Sequence, residues 1–205
     1  MTDLPLIAIL RGITLEEVEP ISNALVAAGV RYLEIPLNSP DPLPSIERLV
    51  LLHGKQAQCG AGTVKTVGEV ELVARAGGTL IVSPHIDVEI VTESLARNMT
   101  VFPGVATATE ALMAIRAGAT RLKLFPAGDL GSGYLKSISA IMPNAVEVFA
   151  VGNIGLDDLE RFWQAGASGF GIGSDLYRPG SDAEKVYAQA CRYVAAVERL
   201  LEENR

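Results

Sequence analysis

Short apolar runs alternate with longer amphipathic stretches from one end of the chain to the other. Eight of the short runs read as strands, at residues 6–10, 32–36, 58–64, 80–84, 100–105, 122–126, 146–151 and 169–173. The stretches between them carry helix punctuation. Thr14 with Glu17, Thr66 with Glu69, Thr107 with Glu110 and Ser181 with Glu184 have the Ser/Thr-x-x-Glu spacing of a capping box, which predicts four helix starts. An Ala-Gly pair followed directly by an apolar run recurs at Ala28-Gly29, Ala76-Gly77, Ala117-Gly118 and Ala165-Gly166, an internal repeat of roughly 40 to 50 residues. Each of these glycines reads as the left-handed residue that ends a helix before the next strand begins. Strict strand–helix alternation with short connections implies parallel strands joined by crossover helices, and eight units in one chain point to a closed (β/α)8 TIM barrel. An open dinucleotide-binding sheet is the rival α/β architecture, but no Gly-x-Gly-x-x-Gly follows the first strand. The expectation is one barrel domain over residues 1–205, compact against the ~250 residues usual for this fold.

Aligning the repeats on their glycines places Glu34, Val82, Lys123 and Gly171 at one register of the even-numbered strands, which together supply an interior layer of such a barrel. Their neighbours Leu33, Ile35, Leu122, Leu124, Phe170 and Ile172 are apolar, as expected of side chains that face the helices. Both faces of a barrel strand are covered, so a carboxylate and an amine at matched register have no solvated side to turn to. Desolvation disfavours an ammonium, leaving Lys123 able to attack a ketone and form an imine. That imine is an electron sink for breaking the C3–C4 bond of a β-hydroxy ketone, with Glu34 as proton shuttle across the lumen, through a water. At the mouth, Arg11 ends the first strand and offers a fork for a carboxylate, and Thr63 ends the third with a hydroxyl. Gly152-Asn153 and Gly173-Ser174 follow strands seven and eight, whose loops bind phosphate in many barrels.

Composition narrows the partners. Seventeen Lys and Arg against 24 Asp and Glu give a formal charge of −7, which argues against nucleic acid. Apolar runs fall short of the roughly 18 residues a membrane span needs, and residues 4–10 read as a strand rather than a signal peptide. Cys59 and Cys191 lack CxxC spacing and suit free thiols in a reducing cytoplasm. His53 and His85 lack ligand spacing, are expected at surface or loop positions, and leave a metal or other cofactor without support. Arg121 falls at an inward register near the closed end of the sixth strand, and the pattern gives no reason for it.

Nearly the whole chain resembles the class I aldolases that cleave 2-keto-3-deoxy-6-phospho sugar acids to pyruvate and glyceraldehyde 3-phosphate. The resemblance is carried by Ile9-Leu10-Arg11-Gly12, the run from Glu34 through Pro36, Leu37 and Asn38 to Pro40, Gly60-Ala61-Gly62-Thr63-Val64, Pro103-Gly104-Val105-Ala106-Thr107, Leu122-Lys123-Leu124-Phe125-Pro126 and Gly173-Ser174. It implies that Lys123 is the Schiff-base lysine, Glu34 the acid/base, Arg11 and Thr63 the carboxylate binders, and the last two loops the phosphate site. The chain is similar to the phosphogalactonate branch of that family. Pro36-Leu37-Asn38 stands where the phosphogluconate branch has Thr-Leu-Arg, and Val151 where that branch has a threonine that senses the C4 hydroxyl. Asn153 replaces the usual second glycine, a substitution compatible with positive φ and a retained N–H. The resemblance further implies a homotrimer; the mean hydropathy of +0.29 agrees with surface buried between subunits. Alternatives are the same chemistry on the gluconate epimer or 4-hydroxy-2-oxoglutarate, a phosphate-binding barrel isomerase that needs no imine, and a metabolite-sensing barrel without chemistry.

Overall fold

A computed structural model describes residues 4–203. In chain order the elements are β1 (Leu6–Ile9), α1 (Leu15–Ala28), β2 (Tyr32–Pro36), α2 (Pro42–His53), β3 (Gln58–Gly62), α3 (Val67–Arg75), β4 (Leu80–Val82), α4 (Val88–Ala96), β5 (Thr100–Phe102), β6 (Gly104–Val105), α5 (Ala108–Arg116), β7 (Arg121–Leu124), α6 (Ala127–Leu130), α7 (Ser132–Ser139), β8 (Glu147–Val151), α8 (Leu159–Gln164), β9 (Gly169–Ile172) and α9 (Ala183–Glu203). All strand pairs are parallel, in the order β5-β4-β3-β2-β1-β9-β8-β7-β6. The two ends of that order, β5 and β6, are halves of the fifth strand read from the sequence. Pro103 divides them because it has no N–H to donate to a ladder. Ahead of it the chain pairs with β4, after it with β7, and its own carbonyl accepts from the Lys123 N–H at 2.9 Å. The sheet therefore closes into the expected barrel, and β2 and β7 stand on opposite walls.

Two apolar layers follow from strand alternation. Leu33, Ile35, Leu122, Leu124, Phe170 and Ile172 pack outward among the helices, while Ile7, Ile9, Tyr32, Leu80, Val82, Phe102, Phe149 and Val151 fill the barrel. Burial of both layers away from water is the main force that holds the barrel closed. The four repeat glycines all take positive φ, from 81° at Gly77 to 111° at Gly29, as expected of residues that turn a helix end into a strand.

Capping boxes form at Thr66/Glu69 and Thr107/Glu110, with hydrogen bonds in both directions. At Thr14 the backbone N–H donates to Glu17 Oε2 at 3.0 Å. The fourth differs from expectation: α9 is capped by Asp182, whose Oδ1 accepts from Glu184 N at 2.8 Å, while Ser181 Oγ accepts from Arg178 N in the preceding loop. A carboxylate one residue closer to the helix outcompetes the serine.

His53 also differs from the surface or loop position expected. It is the last residue of α2, buried, with Nε2 2.9 Å from Ser22 Oγ on α1, and burial lowers its pKa below the usual imidazole value. Arg121 acquires a structural role at the closed end of the barrel. Its Nε donates to Glu147 Oε2 at 2.6 Å on the adjacent strand, and its guanidinium carbon lies 5.9 Å from the ring centroids of both Tyr32 and Phe102. It closes off the end of the barrel away from the cavity described next. No helix among the described residues is long and apolar enough to cross a membrane.

Candidate active site

Lys123 and Glu34 are both inside the barrel, 6% and 1% exposed. Backbone register puts them there: Lys123 pairs with Gly104 on one side and Phe149 on the other, and Glu34 pairs with Ile9 and Gly60. Room for the carboxylate comes from Gly62, where an added Cβ would lie 1.9 Å from Glu34 Oε2. On β9, Gly171 makes space beside Val151, whose Cγ2 would lie 2.8 Å from a Cβ there. These two positions keep a lumen open where ordinary side chains would fill it.

The electrostatics follow from burial. Glu34 Oε2 is buried and receives no hydrogen bond from a described residue. Desolvation lifts this carboxyl to about 7, against the opposing pulls of the Lys123 and Arg11 charges. Desolvation also pushes Lys123 below the ordinary lysine value; Glu34 pulls it back up, and the Arg11 guanidinium adds a further push down. Lys123 Nζ lies 4.8 Å from the centroid of the Phe125 ring, which forms an apolar side to the amine. A carboxyl that titrates near neutrality and an amine that loses its proton more readily than an ordinary lysine have the properties needed for proton shuttling and for nucleophilic attack.

A cavity of about 620 Å3 opens above the lysine at the C-terminal ends of the strands. Its lining brings together Lys123, Arg11, Thr63 and Val151 with Gly152, Asn153, Gly173 and Ser174 from the loops after β8 and β9. Glu34 lies at the lumen beneath this lining, and Pro36 and Asn38 stand outside it, on the end of β2 and the turn that follows. Thr63 has φ of +58°, a conformation that is strained for a β-branched residue and that points to a constraint at the mouth. Asn153 also has positive φ, +53°, and its Nδ2 donates to both oxygens of Asp129 at 3.1 and 3.0 Å. Gly128 N donates to Gly152 O at 2.8 Å, so the loop after β8 is tied to α6 at two points.

The loop after β9 supplies residues that the sequence did not single out. Asp175, Tyr177, Arg178 and Pro179 all line the cavity. Arg178 Nε donates to Ser174 O at 2.8 Å, which lays the guanidinium along the loop that carries Gly173 and Ser174. The available signal was slight: Arg178 is the one cation between Ser174 and Asp182, in a stretch without helical or strand periodicity. The loop is anchored from both sides, since Gly180 N donates to Glu17 Oε1 and Asp175 Oδ2 accepts from Gln189 Nε2 and Tyr193 Oη on α9.

The remaining chemistry-bearing residues lie elsewhere. Cys59 is buried and its thiol is pushed up to about 12, which suits a small core residue rather than a nucleophile. His85 is exposed on the loop after β4, with Nδ1 3.2 Å from Ser83 Oγ. Among the described residues no group of three His, Cys, Asp or Glu is arranged to hold a metal ion.

Comparisons with known proteins identify the family and the fold. A family model described as KDPG and KHG aldolase matches residues 1–189. A relative from Escherichia coli K12, named 2-dehydro-3-deoxy-6-phosphogalactonate aldolase, is 46% identical over 195 residues, covering 95% of each chain. A solved structure described as native KDPGal superposes with a TM-score of 0.96 at 44% identity, covering 98% of both chains. A KDPG aldolase from Legionella pneumophila, described as holding pyruvate as a covalent carbinolamine intermediate, superposes with a TM-score of 0.81 at 26% identity, covering 97% of this chain and 94% of that one.

Proposed function

The chain belongs to the KDPG and KHG aldolase family of carbon–carbon lyases, and from that premise we propose that it cleaves 2-dehydro-3-deoxy-6-phospho-D-galactonate to pyruvate and D-glyceraldehyde 3-phosphate through an imine on Lys123. The observation that carries this reading is the enclosure of Lys123 and Glu34 in one lumen, under a cavity ringed by anion-binding groups.

The neutral Lys123 amine attacks the C2 ketone and expels water, forming an imine that is protonated to an iminium. Loss of the C4 hydroxyl proton drives the C3–C4 electron pair into the iminium, releasing glyceraldehyde 3-phosphate and leaving an enamine. Protonation at C3 and hydrolysis then free pyruvate. Glu34, titrating near neutrality, is suited to move each of these protons through a bridging water. Arg11 and Thr63 hold the carboxylate. The phosphate sits against Gly152, Asn153, Gly173 and Ser174, with Arg178 adding a cation to that side. Protein groups and substrate supply all the chemistry, without a metal or cofactor.

Val151 supports the galactonate assignment, because an aliphatic wall offers no hydroxyl to the C4 substituent and so does not select the gluconate epimer by hydrogen bonding. Pro36 and Asn38, at the point where the two branches of the family differ, belong to the same assignment. Pyruvate release from the two C4 epimers under identical conditions tests it. The galactonate epimer is expected to give the higher kcat/KM, and a strong preference for the gluconate epimer reassigns the substrate while leaving the lyase intact.

We further propose assembly as a homotrimer in the cytoplasm. Free Cys59 and Cys191 fit a reducing compartment. Exposed Leu72, Val88, Leu95, Leu112 and Met113 lie on α3, α4 and α5, three successive helices of the barrel wall, and offer apolar surface for a subunit contact. Light scattering is expected to give a mass of three 21.7 kDa chains, and a monomer at working concentration defeats the assembly.

A further inference from the structure

Arg11 is held from behind by the turn after β2. Its Nη1 donates to Asn38 Oδ1 at 2.8 Å, and the neighbouring pair repeats the link, with Gly12 N donating to Ser39 Oγ at 3.0 Å. The turn is fixed in its own right, since Leu37 N donates to Gly62 O at 2.9 Å and Ser39 N to Pro36 O at 2.8 Å. Ser39 is buried while Asn38 is exposed. Arg11 lines the cavity and Asn38 does not, so the asparagine meets the guanidinium rather than a ligand.

The choice of partner has chemical consequences. A guanidinium carries five N–H donors in a fixed plane, and one carboxamide oxygen orients that plane while leaving donors on the cavity side. A carboxylate in the same place would also orient it, but would neutralise it and compete with an incoming carboxylate. None of the ion pairs among the described residues uses Arg11. We propose that Asn38 is a positioning residue for substrate-carboxylate recognition, a neutral latch that aims Arg11 into the cavity without placing a counter-charge against it. This rests on the reading of Arg11 as the carboxylate clamp. It assigns the residue at this position a role through Arg11 rather than by contact with the C4 centre.

A second effect follows from the same charge. The charged groups acting on Lys123 are Glu34 on β2 and Arg11 at the end of β1. Arg11 disfavours the ammonium, so a negative partner at position 38 would cancel that push and retain the proton on Lys123 to higher pH.

The test compares the parent chain with Asn38→Ala and Asn38→Asp, using borohydride trapping of pyruvate on Lys123 as a function of pyruvate concentration and pH. Loss of an oriented charge-assisted contact is expected to raise half-saturating pyruvate about 10-fold in Asn38→Ala, and the competing charge about 100-fold in Asn38→Asp. The acid limb of the trapping rate, which reports deprotonation of Lys123, moves to higher pH in Asn38→Asp and stays in place in Asn38→Ala. A latch that served only as a scaffold predicts the opposite order, because aspartate keeps the hydrogen bond that alanine loses. Parent-like trapping by Asn38→Asp, or by both variants, overturns the proposal. A parent chain that traps no pyruvate on Lys123 defeats the aldolase mechanism itself, and the latch with it. Asn38 is exposed, so unchanged melting transitions are expected to show that all three chains are folded.

Discussion

Lys123→Met is expected to abolish cleavage, lowering kcat/KM by at least ~10^4-fold, and to eliminate borohydride-dependent labelling by pyruvate. Among the described residues no other lysine lines the cavity. The same change is expected to make the protein more resistant to unfolding at neutral pH. The folded state holds Lys123 below its unfolded value, so the unfolded chain binds a proton that the folded chain resists. That penalty is fully present below the folded pKa and vanishes above the unfolded value of 10.5, so the gain from methionine is present at pH 7 and fades as pH rises towards 10.5. Urea unfolding of both chains at pH 7 and pH 10 reads the effect. A variant that retains turnover would show that the amine is not the nucleophile, and one less stable at pH 7 than the parent would contradict its burial in a desolvated lumen.

Glu34→Gln is expected to reduce turnover by about 10^2- to 10^4-fold through loss of the proton shuttle while leaving pyruvate able to form an imine. Its pH behaviour has a definite sign. The folded carboxyl titrates at about 7 against 4.5 unfolded, so the unfolded state releases its proton first as pH rises. The resulting destabilisation is absent below 4.5, grows between 4.5 and 7, and is complete above 7. Relative to the parent, the glutamine variant therefore gains on the order of 3 kcal/mol between pH 4.5 and pH 8. Loss of the carboxylate also removes the upward pull on Lys123, so the acid limb of imine formation moves to lower pH. Equal stability differences at the two pH values would mean that Glu34 is not desolvated, and undiminished turnover would move the proton-transfer role to another group.

How much of this was legible in the sequence depended on how local the cause was. The repeat glycines were readable because a helix that turns directly into a strand needs positive φ, which is a property of one residue. Their spacing then fixed the register that places Glu34 and Lys123 in one layer. The break at Pro103 was open to the same reasoning, since a proline inside a strand cannot complete a ladder, yet the apolar run around it reads as one strand. Other features depend on partners distant in sequence. Arg121 gains its role only when Tyr32, Phe102 and Glu147 are brought to the closed end, and His53 is buried where α2 packs on α1, against Ser22. Arg178 reaches the cavity because Glu17 and α9 hold an aperiodic loop in place.

The bare position at Gly62 has an evolutionary consequence. A methyl group there would press on the Glu34 carboxyl and force that side chain to shift, so the setting of the acid/base depends on a residue that carries no chemistry of its own. A change of substrate that keeps the acid/base in place therefore meets less resistance at the rim, at Val151 or Arg178, than on the wall that carries Gly62.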